Sequence, residues 1–234
     1  MAPETLKTGT LTASLALVLA AEGAAWWGIR ATPLPPMLLL GLVRLIQIIG
    51  LAWLAVLWEG GLGAIGLSPR LWLSGFKKGV LWSAVFALIA VLGMTALWLW
   101  GLHPLSMLRA PLPRGDCRLV LFFLVGGLIA PVAEEIFFRG FLYTYFRSRG
   151  ISLARRLGLN GSRPFGIGLA ILGSTLIFVV LHSIHGLPLT QIIGGLVFAL
   201  AYETTRNLVV PISIHVAGNL AIFSISLLPR HFIG

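Results

Sequence analysis

The chain is built from a succession of uninterrupted apolar stretches. Each is near the roughly 20 residues that a helix needs to cross the hydrocarbon core of a bilayer. Seven such stretches are legible, at about Thr10–Ile29, Pro36–Trp58, Gly79–Leu102, Arg118–Phe146, Phe165–Ile184, Leu189–Glu203 and Leu208–Leu228. Prolines at 33 to 36, 111 to 113 and 164 punctuate them. A transmembrane β-barrel would show alternating segments of about ten residues instead. The expected fold class is therefore all-α, a polytopic transmembrane helical bundle of about seven spans, with eight as the alternative. It is expected to form a single integral-membrane domain over residues 1–234.

Composition excludes the soluble alternative. Charged residues make up 10% of the chain, against about 25% in soluble domains, too few to cover a water-facing surface. The single cysteine cannot form an internal disulfide, and the eight tryptophans suit interfacial aromatic belts. The net charge of +10 does not point to nucleic acid, because the basic residues sit between the apolar stretches rather than along a polar face. Lys7, Arg70, Lys77, Lys78, Arg147, Arg149, Arg155, Arg156, Arg163 and Arg206 fall on one side, and Arg30, Arg109, Arg114, Arg118 and Arg230 on the other. The positive-inside rule makes the first group, and the N-terminus, cytoplasmic. Short loops favour a prokaryotic plasma membrane, and lipid is the expected surrounding partner. Glu22 and Trp26–Trp27 sit poorly beside a signal-peptide cleavage site, so the first stretch reads as a retained helix.

A charge at mid-bilayer costs about 2.5–3.5 kcal/mol on insertion scales, so polar residues inside the stretches need a reason. The fourth stretch carries Glu134-Glu135 and Arg139. Glu135 and Arg139, four apart, share a helix face and can pair, either as a structural seam or as part of a site. Glu134 points about 100° away with no local cation on its own face, the setting in which a carboxylate can serve as a base toward water. The fifth stretch ends in Phe178-x-x-x-His182, with His185 beyond it. Either histidine can be a structural helix-end group, and His182 can equally be an acid or base. The seventh holds His215 and Asn219 on one face. They can stabilise an oxyanion or simply tie helices together. Glu134, His182 and His215 are also acceptable zinc ligands, although no His-Glu-x-x-His pattern is present.

Other chemistries fit less well. Ser174, Ser183 and Ser213 lie near these stretches, but none is in a Gly-x-Ser-x-Gly context. An aspartyl pair is excluded because Asp116 is the only aspartate. Glu22 and Arg44 read as a structural pair, and Glu203 and Arg206 as a local loop pair. A small transporter with a buried proton path is a further alternative, disfavoured by the lack of an inverted repeat.

The ordered set Glu134-Glu135-x-x-x-Arg139, Phe178-x-x-x-His182 and His215-x-x-x-Asn219 resembles the CPBP intramembrane protease family. That family includes type II prenyl-protein CAAX endopeptidases, bacteriocin-processing and immunity proteins, and myxosortase-type sorting enzymes. The resemblance covers about residues 118–228, the motif-bearing core. It implies a glutamate-type intramembrane endopeptidase that needs no cofactor, with zinc as the alternative, acting on a membrane-anchored or lipidated protein substrate. Glu134 would activate water and His182 would assist as base. His215 and Asn219 would form the oxyanion hole, and Glu135, Arg139 and Phe178 would support the site. A non-catalytic immunity or scaffold protein of the same fold is the competing reading.

Overall fold

The structure, a computed structural model, describes residues 5–182 and 188–228. Every regular element among them is helical. Helices α1 (Thr8–Ala31) and α2 (Pro36–Glu59) form an antiparallel hairpin, with Pro36 starting α2 where its missing N–H costs nothing and Gly60 in the left-handed region ending it. A short 3₁₀ segment leads to α3 (Trp72–Leu99). The next rod runs unbroken from Asp116 to Arg156. It comprises α4 (Asp116–Leu124), a π-helical segment (Val125–Ile129), α5 (Ala130–Glu135), a second π-helical segment (Ile136–Tyr143) and α6 (Thr144–Arg156). Helices α7 (Ser162–His182), α8 (Leu189–Thr205) and α9 (Val209–Ser226) follow.

The seven rods lie where the seven apolar stretches predict them, and six are long and apolar enough to cross a membrane. The chain is an integral membrane protein. The remaining rod, α8, has 17 residues. Two boundaries differ from expectation. The third rod begins well before Gly79, at Pro69. The fourth runs past Phe146 to Arg156, so that Arg147, Arg149, Arg155 and Arg156 are helical rather than in a loop. A helix does not have to stop where its apolar residues stop, and here tertiary partners carry it on. Arg147 pairs with Glu203 at 3.0 Å, and Gly150 lies against Gly166 of α7.

The rod centred on Glu134 is the axis of the fold. It contacts α2, α7, α8 and α9, while α3 packs chiefly along α9, with Gly79 against Ser213 and Gly75 against Asn207 of the α8–α9 turn. The apolar core of Leu51, Ile65, Phe138, Phe141, Tyr143, Phe178 and Tyr202 surrounds its second π segment. The α2–α3 connection is seated on the α8–α9 turn: Tyr202 donates to the Ile65 carbonyl, Leu208 N–H to the Gly66 carbonyl, and the Asn207 amide to the Leu71 carbonyl. Glu203 is more than a local partner of Arg206. It also accepts from Arg147 and from the Tyr143 hydroxyl, joining α6, α8 and the second π segment.

Helix α7 is held close to α6 by backbone contact. A Cβ at Gly166 would meet the Arg147 carbonyl oxygen at 2.7 Å and the Ile151 side chain at 2.5 Å, whereas one at Gly168 would meet nothing within 4 Å. Gly166→Ala is expected to cost about 1–3 kcal/mol through overpacking, and Gly168→Ala to leave stability near wild type. Thermal unfolding of the purified protein in one detergent compares the two directly.

Candidate active site

Two distortions of the central rod prepare the site. Pro131 lacks the N–H for a bond to the Gly127 carbonyl, and its ring crowds that carbonyl. The turn before it widens to π geometry, with Ala130 N–H bonding back to Val125. The Gly126 carbonyl is taken by the Asn219 side-chain amide at 2.9 Å. The second π segment begins immediately after Glu135. A turn closed by i→i+5 bonds holds more residues than an α turn, so Arg139 comes nearly above Glu135. Such segments are frequent at functional sites.

The consecutive glutamates face different surroundings. Glu135 and Arg139 are fully buried, at 0% exposure, and form an ion pair at 3.0 Å. The same Glu135 oxygen, Oε1, also accepts from His215 Nδ1 at 2.9 Å. Arg139 donates further to the Gly195 carbonyl of α8 at 3.1 Å, and its guanidinium lies among the rings of Phe138, Phe178 and Phe198. Glu134 turns instead toward the imidazoles: its Oε2 lies 3.5 Å from His182 Nε2 and 3.8 Å from His215 Nε2. The Glu134 side chain is 14% exposed and that of His182 is 32% exposed.

The histidine tautomers follow from their partners. His182 Nδ1 is 2.7 Å from the Phe178 carbonyl. A carbonyl only accepts, so Nδ1 carries a proton, and in neutral His182 the Nε2 lone pair borders the same space as Glu134 Oε2, where one water can donate to both. His215 Nδ1 likewise donates to the Glu135 carboxylate, orienting its ring. Phe198 stacks on that ring at 4.6 Å between centroids. Phe178 is the wedge between the two imidazoles, 4.2 Å from His182 and 6.0 Å from His215, with Phe138 edge-on behind it.

Glu134, Glu135, Arg139, Phe178, His182 and His215 are thus brought together from the central rod, α7 and α9. Asn219 lies one turn beyond His215, with one amide N–H committed to Gly126. His185 and Ser183 lie outside the described residues. No group of three or more His, Cys, Asp or Glu side chains among the described residues is placed to hold a metal ion.

This combination has a counterpart among known proteins. Residues 116–221 match the family model for Type II CAAX prenyl endopeptidase Rce1-like proteins. That segment is a domain of this family. The Rce1-like domain takes in every motif residue from Glu134 to Asn219, while α1, α2 and α3 lie outside it. Membership points to an intramembrane protease and to protein substrates. No curated protein and no solved structure matches the chain.

Several contributors were not found from sequence. Helix α8 supplies Phe198 and the Gly195 carbonyl, and the contact between Glu135 and His215 spans 80 positions. The Gly194-Gly195 pair was the available signal, since a Cβ at Gly195 would meet the Thr175 side chain at 2.8 Å. Because Arg139 and Glu135 are buried as a pair, removing one strands the other. Arg139→Ala is expected to destabilise the protein by about 3–5 kcal/mol, measured as a loss of thermal stability in detergent.

Proposed function

We propose that the protein is an intramembrane endopeptidase that hydrolyses a peptide bond in a membrane-anchored or lipidated protein substrate. The observation that carries this reading is the division of labour between adjacent carboxylates. Glu134 faces two imidazole nitrogens at the open edge of the site, while Glu135 is committed to Arg139 and His215.

Glu134 Oε2 and the His182 Nε2 lone pair together accept hydrogen bonds from one water. As the water oxygen attacks the scissile carbonyl carbon, its proton passes to this pair and the carbonyl π electrons move onto oxygen. Asn219 stabilises that oxyanion through the amide N–H that Gly126 does not use. His215 contributes through Nε2–H in its imidazolium form; Glu135 already balances Arg139, so Glu134 balances this charge before water attack and the oxyanion balances it afterwards. The tetrahedral intermediate collapses, the C–N bond breaks, and the proton held by Glu134 and His182 goes to the departing amine. The products are a carboxylic acid and an amine, with no net change in the enzyme. Arg139 and Phe178 position these groups without touching the reacting atoms. The surrounding apolar helices keep bulk water away and strengthen each electrostatic contact.

The test is cleavage by purified protein in lipid, across a panel holding a farnesylated C-terminal peptide, a leader peptide and a sorting-tail peptide. Glu134→Gln and His182→Ala are each expected to lower kcat by at least about 100-fold, with a chelator leaving wild type unchanged. Wild-type activity that survives Glu134→Gln would sink the mechanism. A folded protein that cleaves no member of the panel would favour the scaffold reading, and chelator-sensitive cleavage would move Glu134, His182 and His215 to metal ligation.

A further inference from the structure

The arginine-rich end of the molecule carries a basic cleft that the chemistry at Glu134 does not use. It lies where the start of α1 meets α6, has a volume of about 230 Å³, and is lined by Thr5, Leu6, Lys7, Ser148, Arg149 and Ser152. Leu6 is 3% exposed and belongs to the same apolar core as Phe141 and Tyr143, so Lys7 beside it is held in place. Lys7 Nζ donates to the Trp58 carbonyl near the end of α2, and Arg149 Nη2 donates to the Thr8 hydroxyl. These bonds fix both side chains but use few of their donors, since an ammonium has three N–H groups and a guanidinium five. Neither cation forms an ion pair among the described residues. The carboxylate beside them, Glu59, is turned to the Lys7 backbone N–H and to the Thr10 hydroxyl instead. Ser152, exposed one turn beyond Arg149, adds a hydroxyl at the rim.

The level of the cleft and its surroundings identify what it meets. Helix α1 begins at Thr8 and α2 ends at Glu59, so the cleft stands at the ends of two membrane spans, where headgroups lie. Trp58 is exposed there, as suits an interfacial aromatic. Beyond it, Arg149, Leu153 and Leu157 are spaced four apart and all exposed, and Leu159 and Phe165 are exposed as well. Arg155, Arg156 and Arg163 stand among them and form no ion pair with the described residues. Open leucines interleaved with unpaired arginines are out of place in bulk water. They suit a headgroup layer, where apolar side chains reach the acyl boundary and guanidinium groups meet phosphate. This is also the side that the charge distribution makes cytoplasmic, where the leaflet carries anionic lipid.

We propose that this cleft is a binding site for one anionic phospholipid of the cytoplasmic leaflet. The lipid phosphate sits between the Lys7 ammonium and the Arg149 guanidinium, with the Ser152 hydroxyl at the rim, and the acyl chains run beside Trp58. Helix α1 lies outside the Rce1-like domain and α6 within it. The bound lipid therefore ties the N-terminal hairpin to the end of the central rod, reinforcing the contacts of Thr8 with Arg149 and Tyr145.

The test needs no substrate. Purified protein in a zwitterionic detergent is titrated with phosphatidylglycerol, phosphatidylcholine or inorganic phosphate at constant ionic strength. Native mass spectrometry reads lipid binding, and thermal unfolding reads stabilisation relative to each variant's own lipid-free sample. Phosphatidylglycerol is expected to bind and to raise the melting temperature, and phosphatidylcholine to do neither at the same concentration. Lys7→Gln/Arg149→Gln is expected to weaken phosphatidylglycerol binding about thirtyfold, through the loss of two interfacial cations. Lys77→Gln/Lys78→Gln, which removes the same charge from α3, is expected to stay within about threefold of wild type. Ser152→Trp keeps both cations and their bonds to Trp58 and Thr8, and by filling the cleft it is expected to weaken binding by about tenfold or more. Absent phosphatidylglycerol binding, equal losses in the two double variants, or full binding by Ser152→Trp would overturn the proposal and leave only diffuse attraction by a basic surface. Equal stabilisation by phosphatidylcholine or by inorganic phosphate would also overturn it, assigning the cleft to neutral lipid or to a soluble anion.

Discussion

One carboxylate oxygen organises the interior of this protein. Oε1 of Glu135 accepts from Arg139 at 3.0 Å and from His215 at 2.9 Å, both within apolar spans. An isolated charge in that setting would be strongly unfavourable, and the pair persists because each member is the other's solvation. The interaction also has reach. Arg139 extends it to the α8 backbone at Gly195, and His215 extends it to α9. Three rods are therefore fixed relative to one another by groups that cannot separate without stranding a charge. Helix association in lipid lacks the hydrophobic drive available in water, which makes a polar centre of this kind a principal source of specificity.

The geometry of that centre depends on backbone irregularity. The regular turn that holds Glu134 and Glu135 sets them about 100° apart, but in a straight α-helix Arg139 would sit obliquely to Glu135. The π segments flanking Ala130–Glu135 shift both ends of the rod around this short α turn. The first is imposed by Pro131 and secured by Asn219 on the Gly126 carbonyl. Asn219 thus links the rod's distortion to the helix that carries His215. The same side chain braces the scaffold with one N–H, and in the proposed mechanism the other serves the oxyanion.

Much of this was legible in the sequence, for identifiable reasons. Hydropathy gave the rods because the bilayer sets a length that water does not. The cost of burying charge singled out Glu134, Glu135, Arg139, His182 and His215, and helical periodicity paired Glu135 with Arg139. What escaped was anything carried by backbone or by long-range contact. A hydropathy profile reads the Arg-rich stretch after Phe146 as a loop, because it cannot see that Glu203 and the α7 glycines support a polar helix there. The π segments have no propensity signature beyond Pro131. Gly195 contributes only a carbonyl, which no side-chain pattern reveals. Glu203 resembled half of a local pair because its partners Tyr143 and Arg147 are 60 and 56 positions away.

The exposure of the polar groups gives the site a direction. Glu135, Arg139, Phe178 and His215 are enclosed by the domain's own aromatic side chains, whereas Glu134 and His182 are partly open. In the proposed mechanism the groups that hold the geometry are sealed, and the groups assigned to water and the peptide bond stand at the edge. The buried centre tolerates little change, because each of its charges is balanced by the others.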